Sequence, residues 1–163
     1  VKTFGWKSDS KTDGKFTFTR KDVRFSLLTD RLLRIEVDKD LKFTDEPTQT
    51  VVCRNFDEPT FRIIDDGDIV IIITTNTIFK YDVSAHKMIG ISLKNGKSLT
   101  EYQSGNLKGT YRTLDQANGS VKLGDGVMSK NGVAVVDDTV SLLLNTDGTI
   151  GERRKTQNRI RKK

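Results

Sequence analysis

Short apolar runs separated by turn residues dominate the chain from residue 15 onward, and helical periodicity is nearly absent. In residues 31–37 (RLLRIEV), three aliphatic residues alternate with Arg34 and Glu36. Such alternation predicts a strand with one face in the core and the charged face in solvent. By this criterion strands are expected at residues 15–20, 23–29, 31–37, 61–64, 68–74, 77–83, 87–93, 133–136 and 139–144, with a possible short strand at 50–53.

One of these runs, residues 69–73 (IVIII), is apolar without alternation. An uninterrupted apolar run predicts a strand that is buried on both faces, and we expect it at the centre of the core. Turns are indicated at Asp66-Gly67, at Asn76 and at Asn95-Gly96, because these residue types tolerate the backbone of tight turns. Residues 133–136 and 139–144 are predicted to pair with each other around Asp137-Asp138.

Many short strands with turn signals between them are typical of a sandwich or barrel. We therefore predict an all-β fold, an antiparallel β-sandwich, as one domain over residues 15–150. Residues 1–14 are expected to be disordered or foreign to the natural protein, and residues 151–163 to form a basic tail. Residues 101–132 carry six glycines and no long apolar period. A loop of that length in a compact domain is often functional.

The net charge of +6 comes from the carboxyl-terminal end of the chain. Residues 152–163 hold seven of the 28 Lys and Arg and one of the 22 acidic residues, so 21 of each remain in residues 1–151. A nucleic-acid reader is expected to carry a basic stripe on its folded surface, and a neutral body predicts no such partner. The longest apolar stretch is far shorter than the roughly 20 residues of a membrane helix, so no membrane contact is expected.

Residues that could carry catalysis are few. Cys53 is the only cysteine, which excludes an internal disulfide and favours the cytoplasm. His86 is the only histidine, which excludes histidine-containing triads and clusters of histidine metal ligands. Adjacent carboxylates point to opposite faces of a strand, so we interpret each such pair as turn or cap residues. These pairs are Asp45-Glu46, Asp65-Asp66 and Asp137-Asp138. No metal, cofactor or complete catalytic centre is expected.

One ordered set of motifs resembles a known family. Residues 106–115 (NLKGTYRTLD), then Gly119, Leu123, Gly126 and residues 129–138 (SKNGVAVVDD), resemble the end of the amino-terminal domain of glycoside hydrolase family 31. Bacterial members read N-L-x-G-T-x-R-T-L-D there, followed by S-R-x-G-x-x-V-x-D-D. Lys130 stands where the family usually has Arg, and Val133 where it often has an aromatic residue. Three further segments resemble the family in the same order, namely residues 25–37, residues 47–56 (PTQTVVCRNF, against P-T-Q-x-V-x-x-R-x-F) and residues 77–81.

This resemblance implies a galactose-mutarotase-like supersandwich that packs against a (β/α)₈ barrel and contributes a loop to its sugar pocket. Family members are mostly retaining α-glucosidases and α-xylosidases, so the implied ligand is an α-glucoside. Nothing in this chain resembles the W-x-D-M nucleophile motif of the barrel, so the catalytic aspartates are expected outside it. By position the loop corresponds to residues 111–118, in which Asp115, with Arg112, would approach the substrate hydroxyls. The alternative is that the two side chains only pair to hold the loop.

Two other functions remain open at the level of sequence. A free-standing carbohydrate-binding module is expected to expose aromatic side chains on one sheet face, and Tyr81, Tyr102 and Tyr111 are scattered along the chain. A nucleic-acid-binding role would depend on the basic tail alone. If a sandwich face is normally covered by a barrel, the domain by itself exposes an apolar patch, which predicts a homo-oligomer.

Overall fold

The computed structural model describes residues 8–99, 105–109, 118–119 and 122–153. These residues form an all-β structure with one short 3₁₀ turn and antiparallel strands. The 3₁₀ turn at Gly14–Phe16 precedes β1 (Thr17–Arg20), β2 (Val23–Thr29), β3 (Leu32–Val37), β4 (Phe61–Asp66), β5 (Ile69–Thr74), β6 (Thr77–Asp82), β7 (Lys87–Leu93), β8 (Leu143–Leu144) and β9 (Ile150–Gly151).

Consecutive strands pair into two main sheets, β1-β2-β3 and β4-β5-β6-β7, and β8 pairs with β9. In the first sheet Phe25 lies opposite Phe18 and Ile35. In the second sheet Ile72 lies opposite Ile63 and Phe79. Because side chains alternate between faces, this register gives each sheet one continuous apolar face, to which Phe25 and Ile72 belong.

The apolar faces of the two sheets form one core. Its buried members are Val23, Phe25, Leu27, Val70, Ile72, Phe79, Tyr81 and Val83. The rings of Phe25 and Tyr81 meet edge to face between the sheets, with centroids 5.2 Å apart. Complete burial of one large apolar side chain contributes about 1.5–3 kcal/mol. The predicted all-β antiparallel sandwich is thereby confirmed.

The outer face of the four-stranded sheet is more open than the sequence suggested. Val70 and Ile72 of β5 are buried, whereas Ile69, Ile71 and Ile73 between them are only partly buried. The prediction that this strand is buried on both faces is therefore wrong. An uninterrupted apolar run occurs both in strands buried on two faces and in strands that keep a half-open face.

The outer face of the three-stranded sheet is more buried than the sequence suggested. The side chains of Arg34 and Glu36, predicted to face solvent, are only 14% and 11% exposed. Residues of the link between β3 and β4 lie over them, since the Thr44 carbonyl accepts a hydrogen bond from Arg34 Nη2 at 2.8 Å. The sequence pattern of β3 fits a solvated face, but the long link covers it.

The carboxyl-terminal strands also differ from the prediction. Residues 133–136 and 139–144 do not pair with each other; Leu143–Leu144 instead pairs with Ile150–Gly151. Asp137 Oδ1 accepts the Thr139 N–H at 3.0 Å, which forms a local turn. The possible strand at 50–53 is replaced by single bridges at Thr48 and Cys53.

Asp9 and Lys11 lie in the stretch 1–14 that was expected to be disordered or foreign, yet both accept hydrogen bonds from the link between β3 and β4. The Arg54 N–H donates to the Asp9 carbonyl at 2.7 Å, and the Asn55 side-chain amide donates to the Lys11 carbonyl at 2.8 Å. The turns predicted at Gly67 and Gly96 are confirmed, because both glycines have positive φ, +64° and +87°. No helix among the described residues has the length and apolar character of a membrane span.

Candidate functional site

Two stretches of the long glycine-rich segment, residues 101–132, pair with each other. Residues 105–109 run antiparallel to residues 124–130, and we call this pair the stem. The Leu107 N–H donates to the Met128 carbonyl at 2.8 Å, and the Gly109 N–H donates to the Gly124 carbonyl at 3.0 Å. The stem brings both ends of the segment between its two strands close together.

Asn106 and Gly126 form the tightest contact of the stem. The Asn106 side-chain amide donates to the Gly126 carbonyl at 2.9 Å, and its Oδ1 accepts the Gly126 N–H at 2.8 Å. A Cβ on Gly126 would lie 2.1 Å from the Leu107 carbonyl oxygen. Only glycine fits there, because real Cβ atoms do not approach an oxygen so closely.

A turn at residues 129–132 returns the chain to the stem. The Ser129 N–H donates to the Val133 carbonyl at 2.9 Å, and Gly132 has a φ of +79°. The Val135 N–H then donates to the Val127 carbonyl at 2.8 Å. Residues 129–135 thus form a compact turn that packs back on the stem through backbone hydrogen bonds.

The two predicted substrate-binding residues belong to the segment that joins the stem strands. Both Arg112 and Asp115 lie outside the described residues. The structure therefore describes the base from which the segment departs. Their approach to a sugar, or to each other, stays a prediction.

A group of arginines and carboxylates lies beside the covered face of the three-stranded sheet. We call it the arginine cluster; its members are Arg24, Arg34, Glu36, Asp45, Arg54, Asp138 and Arg153. Glu36 on β3 accepts from Arg24 Nε at 2.8 Å and from Arg34 Nη2 at 2.7 Å. Arg24 Nη1 lies 2.8 Å from Asp45 Oδ1. Each strand charge of this face therefore has a partner of opposite sign.

Arg54 is the most buried member, with 1% of the residue exposed. Its Nη1 donates to the Ser10 carbonyl at 2.9 Å and to the Asp45 carbonyl at 3.0 Å. Its Nη2 lies 4.0 Å from Asp138 Oδ2, the carboxylate nearest to it. Among the described residues, neither Nε nor Nη2 of Arg54 has a hydrogen-bond acceptor.

Asp138 joins distant parts of the chain. Its Oδ1 accepts the Thr48 hydroxyl at 2.7 Å, and its Oδ2 lies 3.5 Å from Arg153 Nη1. The interpretation of the 137–138 pair as turn residues therefore holds for Asp137, whereas Asp138 is an ion-pair partner. Arg153, counted with the basic tail, also belongs to this cluster.

Burial and like charge determine the electrostatics of the cluster. Burial lowers the pKa of Arg34 to about 10, against the opposing effect of Glu36. Burial also lowers the pKa of Arg54, although Glu36 and Asp138 oppose it. Four guanidinium groups share three carboxylates, so the loss of one carboxylate would leave a buried positive charge without its nearest anion.

The remaining candidates from the sequence have simple environments. His86 Nε2 lies 3.1 Å from Asp22 Oδ1, in the turn between β6 and β7. Burial raises the pKa of Asp22, but the hydrogen bond from His86, a backbone hydrogen bond and nearby positive charge together outweigh it, so the net shift is downward. Cys53 is exposed. No group of three possible metal ligands occurs among the described residues.

The sequence reasoning did not find the arginine cluster. Its residues are far apart in the chain, and single charges in a strand or a link are ordinarily solvated. The available signal was the opposition of Arg24 and Glu36, which the strand register places face to face. No protein-family model and no curated protein matches this sequence.

Proposed function

We propose that this chain is the amino-terminal, non-catalytic domain of a family 31 glycoside hydrolase of α-glucosidase type. The stem carries the proposal. Four residues of the motifs that resemble the family, Asn106, Gly109, Gly126 and Ser129, belong to the stem and so hold together the two ends of the segment that contains Asp115. A sequence motif with that role is suited to holding a loop towards a neighbouring sugar pocket.

The meeting of two distant motifs supports the same proposal. The segment 47–56 resembles one family motif, and residues 129–138 resemble the end of another. Thr48 of the first donates to Asp138 of the second, and the buried Arg54 lies beside the same carboxylate. Residues of two segments that each resemble the family are thus in contact, as expected if the chain has the family's fold.

In this proposal the sandwich has the galactose-mutarotase-like topology of the family and packs against the catalytic barrel. Asp115, with Arg112, approaches hydroxyl groups of an α-glucoside in the pocket of that barrel. A carboxylate and a guanidinium suit this role, since both form directional, charge-assisted hydrogen bonds. The catalytic aspartates belong to the barrel. The cytoplasmic location and the absence of a nucleic-acid partner stay predictions.

The half-open isoleucine face of the four-stranded sheet is our candidate for the surface that meets the barrel. Ile64 pairs with Ile71 and is 41% exposed, and Lys80 on β6 is the next residue of the same cross-strand row. An apolar face of this kind favours association with another protein surface. The predicted homo-oligomer of the domain alone would use this face, and sedimentation velocity measures it.

Asp115→Ala in the enzyme that contains this domain tests the proposal. Loss of a charged hydrogen bond of about 1.5–3 kcal/mol should lower kcat/KM for an α-glucoside by about 10- to 100-fold. The matched control is Glu46→Ala, which removes an exposed carboxylate outside the stem. The control should retain the kinetic constants of the unmodified enzyme.

The unfolding temperature separates this role from the alternative one. If Arg112 and Asp115 only hold the loop, Asp115→Ala should lower the unfolding temperature and Arg112→Ala should lower it equally. Unchanged kinetics with Asp115→Ala would reject the substrate-binding role.

A further inference from the structure

A cleft of about 820 Å³ opens at one end of the sandwich, and we call it the end cleft. One wall is the turn between β2 and β3, at residues 29–31, and the other is the link at residues 55–60. Thr75, just after β5, completes the lining. The cleft is wide and open to solvent.

The walls of the end cleft are held by contacts with the four-stranded sheet and with the amino-terminal residues before β1. The Thr74 hydroxyl of β5 donates to the Asp30 carbonyl at 2.7 Å, and the Asn76 amide contacts the Asp30 carboxylate. On the other wall, the Asn55 amide is anchored to the Lys11 carbonyl, and Lys15 pairs with Glu58. Walls fixed in this way are organised before a ligand arrives, which lowers the entropic cost of binding.

The lining combines an exposed aromatic ring with hydrogen-bonding groups. Phe56 is 50% exposed, although a phenyl side chain is usually buried. Asp57 follows it with an exposed carboxylate, and Arg31 lines the opposite wall. A pyranose ring presents the matching chemistry, because its C–H face packs on an aromatic ring while its hydroxyls bond to carboxylates and guanidinium groups.

We propose that the end cleft binds a neutral oligosaccharide, with Phe56 as the stacking platform and Asp57 and Arg31 as hydroxyl partners. The lining argues against two other ligand classes. Three carboxylates, on Asp30, Asp57 and Glu58, oppose an anion, and a wholly apolar ligand would leave these polar groups without water.

This site goes beyond the proposed function. No residue of the stem lines the end cleft. It can bind sugar whether or not a catalytic barrel accompanies the domain. The end cleft is also the observation that favours the alternative of a carbohydrate-binding module.

Isothermal titration of the 163-residue chain tests this proposal, with maltohexaose, cellohexaose and xylohexaose as probes. We expect one probe to bind with a Kd near or below about 1 mM, so each is titrated to about 10 mM. Phe56→Ala should weaken that binding at least about fivefold through loss of the stacking ring. Phe56→Tyr, which keeps the ring, should retain it.

Val52→Ala is the matched control, since Val52 is an equally exposed apolar residue of the same link and does not line the cleft. It should bind like the unmodified chain. No binding of any probe would overturn the proposal, and so would equal binding by Phe56→Ala. The two proposals can fail separately. If oligosaccharide binding depends on Phe56 but Asp115→Ala leaves the kinetics of the enzyme unchanged, the end cleft is supported and only the role of Asp115 in substrate binding is rejected.

Discussion

At the scale of single residues, Asp138 and Arg54 show what burial does to charge. Arg54 has no solvent to stabilise its guanidinium, and its two hydrogen bonds go to backbone carbonyls. Asp138 is the nearest carboxylate and also accepts from Thr48. Asp138 therefore connects the link between β3 and β4 with the carboxyl-terminal part of the chain.

Asp138→Ala should lower the free energy of unfolding by about 1–3 kcal/mol, because it removes the acceptor of the Thr48 hydroxyl and one of the anions near Arg54. Urea denaturation measures the change. The control is Glu46→Ala, which removes an exposed carboxylate of the link between β3 and β4. Its free energy of unfolding should stay within about 0.5 kcal/mol of the value for the unmodified protein. Equal stability of the two variants would contradict the structural role of Asp138.

The conformation and environment of a residue could be predicted from the sequence only where they depend on its immediate neighbours in the chain. The positive φ of Gly67 and Gly96 follows from the turn that two neighbouring residues form. The burial of Arg34 and Glu36 depends instead on a link that returns over β3 from outside the strand. Alternation in a strand identifies which residues share a face, but not what covers that face.

At the scale of elements, the stem depends on close approach of two backbones. Gly126→Ala would place a methyl group against the Leu107 carbonyl oxygen. We expect the stem to open and the free energy of unfolding to fall by about 1–3 kcal/mol, as overpacking does elsewhere. Hydrogen exchange of the Leu107 and Gly109 amides should accelerate, since both donate across the stem.

Gly14→Ala is the control for that substitution, because a Cβ at Gly14 meets nothing within 4 Å and its φ is not positive. It should leave amide exchange in the stem unchanged. Unaltered exchange of Leu107 in Gly126→Ala would show that the contact does not hold the stem.

The strands β2 and β7 begin and end where the sequence pattern placed them. In β2 the alternate residues Val23, Phe25 and Leu27 pack in the core, whereas the register shift between β6 and β7 brings Met88 and Ile91 to the same core. The region after residue 132 was predicted wrongly because its apolar residues are mostly exposed, as Val135 and Val136 show at 55% and 56%. There, hydrogen bonds to the stem and to the link determine the path of the chain.

At the scale of the whole molecule, the core is complete between two sheets while two further surfaces remain open. One is the isoleucine face of the four-stranded sheet, and the other is the end cleft with Phe56. An accessory domain that contacts a barrel and a sugar chain would use each of them.

The family assignment is tested most directly by sequencing the coding region downstream of the codon for Lys163. The proposed function predicts that the reading frame continues into a barrel sequence with a W-x-D-M motif. A stop codon at that point would contradict it, and the domain would then have to act without an attached catalytic centre.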